Sequence, residues 1–263
     1  FINMLNFPVI SSNIEVEKGN PLDGLFSPYI IKEVDGEKIG IIGLTIGDKT
    51  QKSSQPSDQI TFKDEVTSTQ LAVDNLVKEG VRKIIVLSHY GYEHSVALAS
   101  KVSEIDIIVD GDSHTLLGDF SSYGLSSSGE YPTIATNLHG DNVCIVQAWE
   151  YGKVLGELNV TFKGDSIESW SGNPHLILGS EFVREDIEGL SYTIEGAELQ
   201  EVESIIAEDG KLCIVSSDSD VDSIISGYAV QVDALGKQVI GWACEDLLHN
   251  RVPDHEYSGV TLP

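Results

Sequence analysis

Lys83-Ile84-Ile85-Val86-Leu87-Ser88-His89-Tyr90-Gly91 and Ile105-Asp106-Ile107-Ile108-Val109-Asp110-Gly111-Asp112-Ser113-His114-Thr115 are the two stretches that decide the fold. Each opens on aliphatic, largely β-branched residues and reads as a short buried strand, over Lys83–Leu87 and Ile105–Val109. Each then passes directly into residues that carry chemistry. Between them, Ser95–Val102 has the pattern of a helix. Strand, helix and strand in that order predict parallel pairing through a crossover, the unit of an α/β fold. Parallel neighbours end on the same edge of their sheet, and ligands of open α/β folds bind at that edge. His89, Asp112 and His114 are therefore expected within reach of one another, although 23 residues separate His89 from Asp112.

Imidazole and carboxylate together suit Zn²⁺, Mn²⁺ or iron. Asp112 and His114 are two apart, and Gly111 permits a tight turn before them. From an irregular turn at that spacing, both side chains can reach a pair of ions about 3.5–4 Å apart, as in two-metal hydrolases. A plainer reading stands beside this one, because Gly, Asp and Ser all favour ordinary turns. His94, His139, His175, His249 and His255 fall in loops or near helix ends and read as solvated or capping residues. Other catalytic templates are absent: no G-x-S-x-G elbow, no P-loop and no Rossmann glycine fingerprint follows a strand. The many acids offer no pair that stands out as a glycosidase couple.

Upstream, Phe7–Ile10 reads as a strand. Tyr29–Val34 and Lys38–Leu44 read as a hairpin through Asp35-Gly36, and Gln51–Gln59 as a polar loop. Asp64–Glu79 is helical in pattern, with Val66, Val73, Leu76 and Val77 on one face and Gly80 ending it. Downstream, Thr133–Thr136, Asn142–Glu150 and Glu157–Phe162 look like antiparallel strands, with Tyr151-Gly152-Lys153 as a turn. Beyond Asn173-Pro174 the chain turns acidic. Helices are expected over Leu199–Ala207, Val221–Val232 and Val239–His249, then an irregular tail from Arg251.

The 263 residues are 41% apolar, a globular composition with room for one large domain or two smaller ones. No apolar run reaches the length of a membrane span, so none is expected. No signal peptide opens the sequence, and any such segment is expected upstream of Phe1. Net charge is −26, from 42 acidic against 16 basic residues. That surface repels nucleic-acid polymers, and it also repels small phosphates at long range. A phosphate site here must carry its own positive charge, and metal ions are the natural source. The acidity also has a simpler reading, solubility in a salty medium. Cys144, Cys213 and Cys244 are odd in number and form no C-x-x-C motif; the first two sit in apolar runs and read as buried, inert thiols.

Taken together, several motifs resemble the metallophosphatase domain of bacterial and animal 5′-nucleotidases. They are Phe7–Ile14, Ser88–Glu93, Val109–Thr115, Val146–Trp149, Tyr151–Gly156 and Gly172-Asn173-Pro174, in order along the chain. The resemblance implies an α/β fold: a calcineurin-like four-layer αββα sandwich, here incomplete, with a more helical C-terminal extension. It divides the chain into a portion of the metallophosphatase domain at 1–178 and an acidic helical extension at 179–263, with 181–219 longer than the family has there. It implies two divalent ions, Zn, Mn or similar, with a nucleotide as substrate and a periplasmic or extracellular location. His89 falls on the family's lone metal-binding His. Asp112 replaces the first His of a Gly-His-x-His motif, and His114 falls on its second, variable position. The family's Asp-x-His, second Asp and Gly-Asn-His motifs are expected upstream of Phe1, and its nucleoside-binding domain after Pro263. The activity implied is hydrolysis of nucleoside 5′-monophosphates by metal-activated water. The alternatives are a non-catalytic binding or structural piece, whose missing ligands lie on another chain or segment, and a cyclic-nucleotide phosphodiesterase on the same fold.

Overall fold

A computed structural model describes residues 1–242. The chain divides into two compact units, Phe1–Ile177 and Leu178–Pro263. The first unit runs β1 (Ile14–Val16), β2 (Tyr29–Val34), β3 (Glu37–Thr45), α1 (Gly47–Ser54), β4 (Ile60–Phe62), α2 (Glu65–Lys78), β5 (Lys83–His89), α3 (Tyr92–Ala99), β6 (Ile107–Asp110), β7 (Thr133–Thr136), β8 (Asn142–Gln147), β9 (Val154–Lys163) and β10 (Ser166–Leu178).

Six strands form one sheet in the order β2-β3-β5-β6-β8-β7. Its four central strands are parallel, and the two edge strands run antiparallel. The crossover expected between Lys83 and Val109 is therefore present, with α3 as its helix. Thr45 pairs with His89, Leu87 with Val109, and Asp110 with Gln147, so β3, β5, β6 and β8 finish along one edge. The β2–β3 hairpin turns at Asp35 (φ 51°) and Gly36 (φ 84°), both left-handed, as a two-residue turn of this kind requires.

Helix α2 starts where Asp64 accepts the Thr67 N–H at 2.8 Å, and Gly80 (φ 79°) follows its end. Its Ala72, Val73 and Leu76 pack with Leu98 and Ala99 of α3 onto Ile42, Leu44, Ile84, Val86, Ile108 and Ile145 of the sheet. Gly40 lets α2 approach β3 closely, since a Cβ there would stand 2.6 Å from Leu76 Cδ1. The long β9–β10 antiparallel hairpin lies in a second sheet. Val154 of β9 packs with Leu116, Phe120, Trp149 and Leu176 in a second core cluster. Sheets flanked by helices in this arrangement make an incomplete calcineurin-like αββα sandwich.

Several local expectations change. β5 and β6 read as buried strands, yet Leu87 is 44% and Val109 42% exposed. At these two positions the face of the sheet away from α2 and α3 is open. Asn142–Glu150 was expected to be antiparallel; β8 is antiparallel to β7 but parallel to β6, and it stops at Gln147. Its buried run from Val143 to Gln147 lacks alternation, as suits a strand covered on both faces. Of Phe7–Ile10, only Ile10 makes a bridge, to Ser27. Gln51–Ser54 belongs to α1, a polar helix whose lack of an apolar stripe hid it from periodicity.

The second unit contains the antiparallel pair β11 (Val183–Glu185) and β12 (Ser191–Thr193), then α4 (Gly196–Glu208), β13 (Leu212–Ile214) and α5 (Ser219–Gly236). The expected helices Leu199–Ala207 and Val221–Val232 lie inside α4 and α5. Val239–Trp242 is not helical, and the rest of the expected helix Val239–His249 lies outside the described residues, as do Cys244 and the tail from Arg251. Cys144 is buried, whereas Cys213 is only half-buried. Among the described residues, no helix is long and apolar enough to cross a membrane.

Candidate functional site

The edge where β3, β5, β6 and β8 end gathers the polar side chains singled out above. His89 is the last residue of β5, and its carbonyl accepts the Ile46 N–H at 3.0 Å, which brings the start of α1 beside it. Asn13, fully buried, accepts the Thr45 N–H at 3.1 Å and donates to the Thr45 carbonyl at 2.7 Å. The strand end opposite His89 is thereby fixed. Asp110 ends β6. Its Oδ1 accepts the backbone N–H groups of Tyr90 (3.4 Å) and Gly91 (3.3 Å), and its Oδ2 accepts Gln147 Nε2 at 2.8 Å. The Gln147 amide also donates to the Gly111 carbonyl at 3.1 Å and accepts the Thr115 N–H. Ser113 Oγ accepts the Tyr92 N–H at 2.9 Å. These bonds lock the turn after β5 to the turn after β6. Asp110 and Gln147 are buried, so the bond between them and the one from the Gly91 N–H are made away from competing water.

Two residues of the second turn take left-handed backbone, Asp112 (φ 75°) and His114 (φ 51°). Non-glycine residues rarely adopt that region, and such outliers cluster at functional turns. Gly111 has a different role from the tight turn expected of it: its backbone is not left-handed, but a Cβ there would stand 3.2 Å from His89 Nδ1. The glycine makes room for the imidazole.

His89 Nε2 lies 3.5 Å from Asp112 Oδ1, and Lys49 Nζ lies 2.6 Å from the same oxygen. The His89 side chain is 64% exposed and that of Asp112 13%, so the pair faces outward from a buried base. His114 turns away from them. Its Nδ1 is 3.5 Å from Glu150 Oε2, its ring meets Tyr151 edge-on at 5.2 Å, and Lys153 holds the other Glu150 oxygen at 2.6 Å. Two of the three expected residues thus meet, and the third stands with a second carboxylate and a second lysine. Among the described residues, no three His, Cys, Asp or Glu side chains converge as a set that could hold a metal ion. The donor chemistry of His89 with Asp112 nonetheless suits a divalent ion in part: one nitrogen and one carboxylate oxygen, close together, at an open edge.

Lys49, Asp110, Gln147 and Glu150 carry structural roles at this edge that were not assigned from the sequence. His94 stacks on Tyr90 in the turn after β5, His139 pairs with Glu104 and His175 with Glu157. At the opposite end of these strands, just before β6, Asp106 is buried and accepts the Ile84 N–H at 2.8 Å; desolvation pushes its carboxyl up to about 7. Burial, helped by the Asp106 charge, pushes the Cys144 thiol up to about 11, which leaves it unreactive.

The parallel-centred sheet with its helices and the second sheet are the fold of an incomplete calcineurin-like domain. The chain belongs to the 5′-nucleotidase family within that class. It is 37% identical over 245 residues to a probable 5′-nucleotidase of Treponema pallidum, an alignment that takes in 92% of this chain and 41% of that protein. It superposes on the structure of Haemophilus influenzae NAD nucleotidase with a TM-score of 0.85 at 34% identity, covering 91% of this chain and 48% of that one. A 5′-nucleotidase precursor from Thermus thermophilus gives 0.71 at 36% identity, covering 91% and 41%. The chain therefore spans less than half the length of these relatives. No protein-family model matches it.

Proposed function

We propose that this domain serves a phosphomonoesterase that hydrolyses nucleoside 5′-monophosphates, with His89, Asp112 and His114 supplying part of the ligand set for two divalent ions such as Zn²⁺ or Mn²⁺. The observation that carries the reading is the 3.5 Å approach of His89 Nε2 to Asp112 Oδ1 at the ends of neighbouring parallel strands. When bound, such ions polarise phosphoryl oxygens and supply hydroxide near neutral pH. His89 offers an imidazole nitrogen at that edge. Asp112 offers a hard carboxylate oxygen where the family has imidazole, which adds negative charge and favours harder divalent ions. His114 joins them only on leaving Glu150. Asp110 and Gln147 hold both turns at fixed separation, so the donors need little reorganisation.

Three donors do not close two ion sites. The remaining ligands are therefore assigned to another segment or chain. On this reading, 1–178 is a portion of the metallophosphatase domain, 179–263 is an acidic helical extension toward a further domain, and the protein works in the periplasm or outside the cell. The likeness to 5′-nucleotidases supports the phosphoesterase part of this reading.

The test is phosphate release from a panel of nucleoside monophosphates, cyclic nucleotides and dinucleotides by the intact protein, beside its His89→Ala variant. Monophosphate turnover, lost by at least about a hundredfold in the variant, is expected from removal of a metal ligand. Equal turnover by both proteins contradicts the assignment. Preference for cyclic nucleotides moves the reaction to phosphodiester hydrolysis.

A further inference from the structure

The molecule carries a charge of −26, yet the proposed substrate is an anion. At the edge itself the sum differs. Asp112 is neutralised by Lys49, whose ammonium lies 2.6 Å from Oδ1, and His89 stands 3.5 Å from the same oxygen. Lys49 reaches there from the first turn of α1, which begins directly after β3 at the same sheet edge. A cation in a helix's first turn opposes the helix dipole and is mildly unfavourable there. The helix end is not the anion site, because Glu65 Oε1 already accepts the Gly47 N–H at 2.8 Å. The lysine is 43% exposed on a flexible four-carbon stem, whereas Asp112 is nearly enclosed. One member of the pair can therefore move and the other is held.

We propose that Lys49 is a substrate-positioning residue: it leaves Asp112 when that carboxylate is neutralised by a divalent ion, and it then holds an anionic phosphoryl oxygen of the substrate. This rests on the reading of the site given above. Asp112 Oδ1 cannot keep a close ammonium and a close divalent ion on the same side without repulsion between them. Freed, the ammonium remains tethered at the edge and supplies the attraction to phosphate that the rest of the surface opposes. Long-range repulsion by the acidic surface makes a local, flexible cation more valuable here than on a neutral protein.

The test uses inorganic phosphate as the probe, with the intact protein and its Lys49→Met and Lys49→Arg variants. Phosphate affinity is measured by calorimetry in saturating Mn²⁺, and bound Mn²⁺ is measured separately. In Lys49→Met, phosphate affinity falls about tenfold while Mn²⁺ binding is equal or tighter; Lys49→Arg stays within about threefold of the wild type. KM for a nucleoside monophosphate rises in parallel, with kcat changed by less than about threefold. Unchanged phosphate affinity in Lys49→Met overturns the proposal. A loss of phosphate that follows a loss of Mn²⁺ also overturns it, since Lys49 then serves only Asp112. Wild-type protein that binds phosphate through Lys49 but hydrolyses no nucleotide refutes the proposed function while leaving this inference standing. Wild-type protein that binds no phosphate refutes this inference.

Discussion

Asp110 Oδ2 and Gln147 Nε2 are joined by a 2.8 Å hydrogen bond between the ends of two parallel strands, in a place closed to solvent. The carboxylate's other oxygen receives the turn after β5, and the amide's other end receives the turn after β6. One buried pair therefore sets the distance between the loops that present His89 and Asp112.

Gln147→Ala breaks this link, taking the amide partner from the buried Asp110 Oδ2 and the acceptor from the half-buried Thr115 N–H. The expected cost is about 1–3 kcal/mol of unfolding free energy. Urea denaturation of the intact protein and the variant measures it. An unchanged midpoint and slope contradict the role given to the pair.

Asp106 predicts a specific pH dependence. Its carboxyl titrates at 3.8 when unperturbed and near 7 in the fold, chiefly through desolvation by burial. Between those values the folded state keeps a proton that the unfolded state has lost. Unfolding free energy therefore falls as pH rises from about 4 to about 7, and the penalty is complete above that. Asp106→Asn keeps an acceptor for the Ile84 N–H and removes the titration. The variant gains stability over the wild type at pH 8, on the order of a few kcal/mol, and not at pH 4. Unfolding free energies at both pH values check the sign, and an equal difference at the two refutes it.

Gly43 marks a close approach of two backbones, since a Cβ there would stand 2.3 Å from the Ile10 carbonyl oxygen. Gly43→Ala must displace the segment carrying Ile10 or bend β3. A loss of about 1–3 kcal/mol is expected from such overpacking. Thermal unfolding tests this; a variant as stable as the wild type means that the Ile10 segment yields freely.

At the N-terminus of α2, hydrogen bonds from the Thr67 side chain and then from its backbone N–H hold the Asp64 carboxyl below the usual range. Asp64→Ala is expected to cost about 0.5–2 kcal/mol at neutral pH. Because the folded pKa is lowered, this contribution is present above the unfolded value near 3.8 and fades as pH falls through the folded one. Denaturation at pH 7 and pH 3 distinguishes this from a pH-independent packing loss.

The strand order around His89 and Asp112 was legible because hydrophobic runs led straight into polar, chemistry-bearing turns on both sides of one helix. The direction of His114 was not. Its left-handed backbone sends the ring toward Glu150, and no residue-type signal announces a positive φ at histidine. Lys49 escaped notice for a topological reason. Lys38–Leu44 was read only as the hairpin partner of Tyr29–Val34, while its parallel pairing with β5 leaves no mark between strands so far apart in sequence. Gln147 offered a usable clue, a polar residue directly after the apolar run Val143–Val146. The exposure of Leu87 and Val109 was invisible because an aliphatic run looks the same whether one face or both are covered.

Metal content decides the central claim most directly. The intact protein, purified without chelators, and its Asp112→Ala variant are to be compared by elemental analysis per mole of protein. The account predicts about two divalent transition-metal ions per molecule in the wild type, as expected for a two-metal hydrolase, and a clear loss in the variant. Wild-type protein that turns over nucleotides with no bound metal, or a variant that retains the full complement, contradicts it.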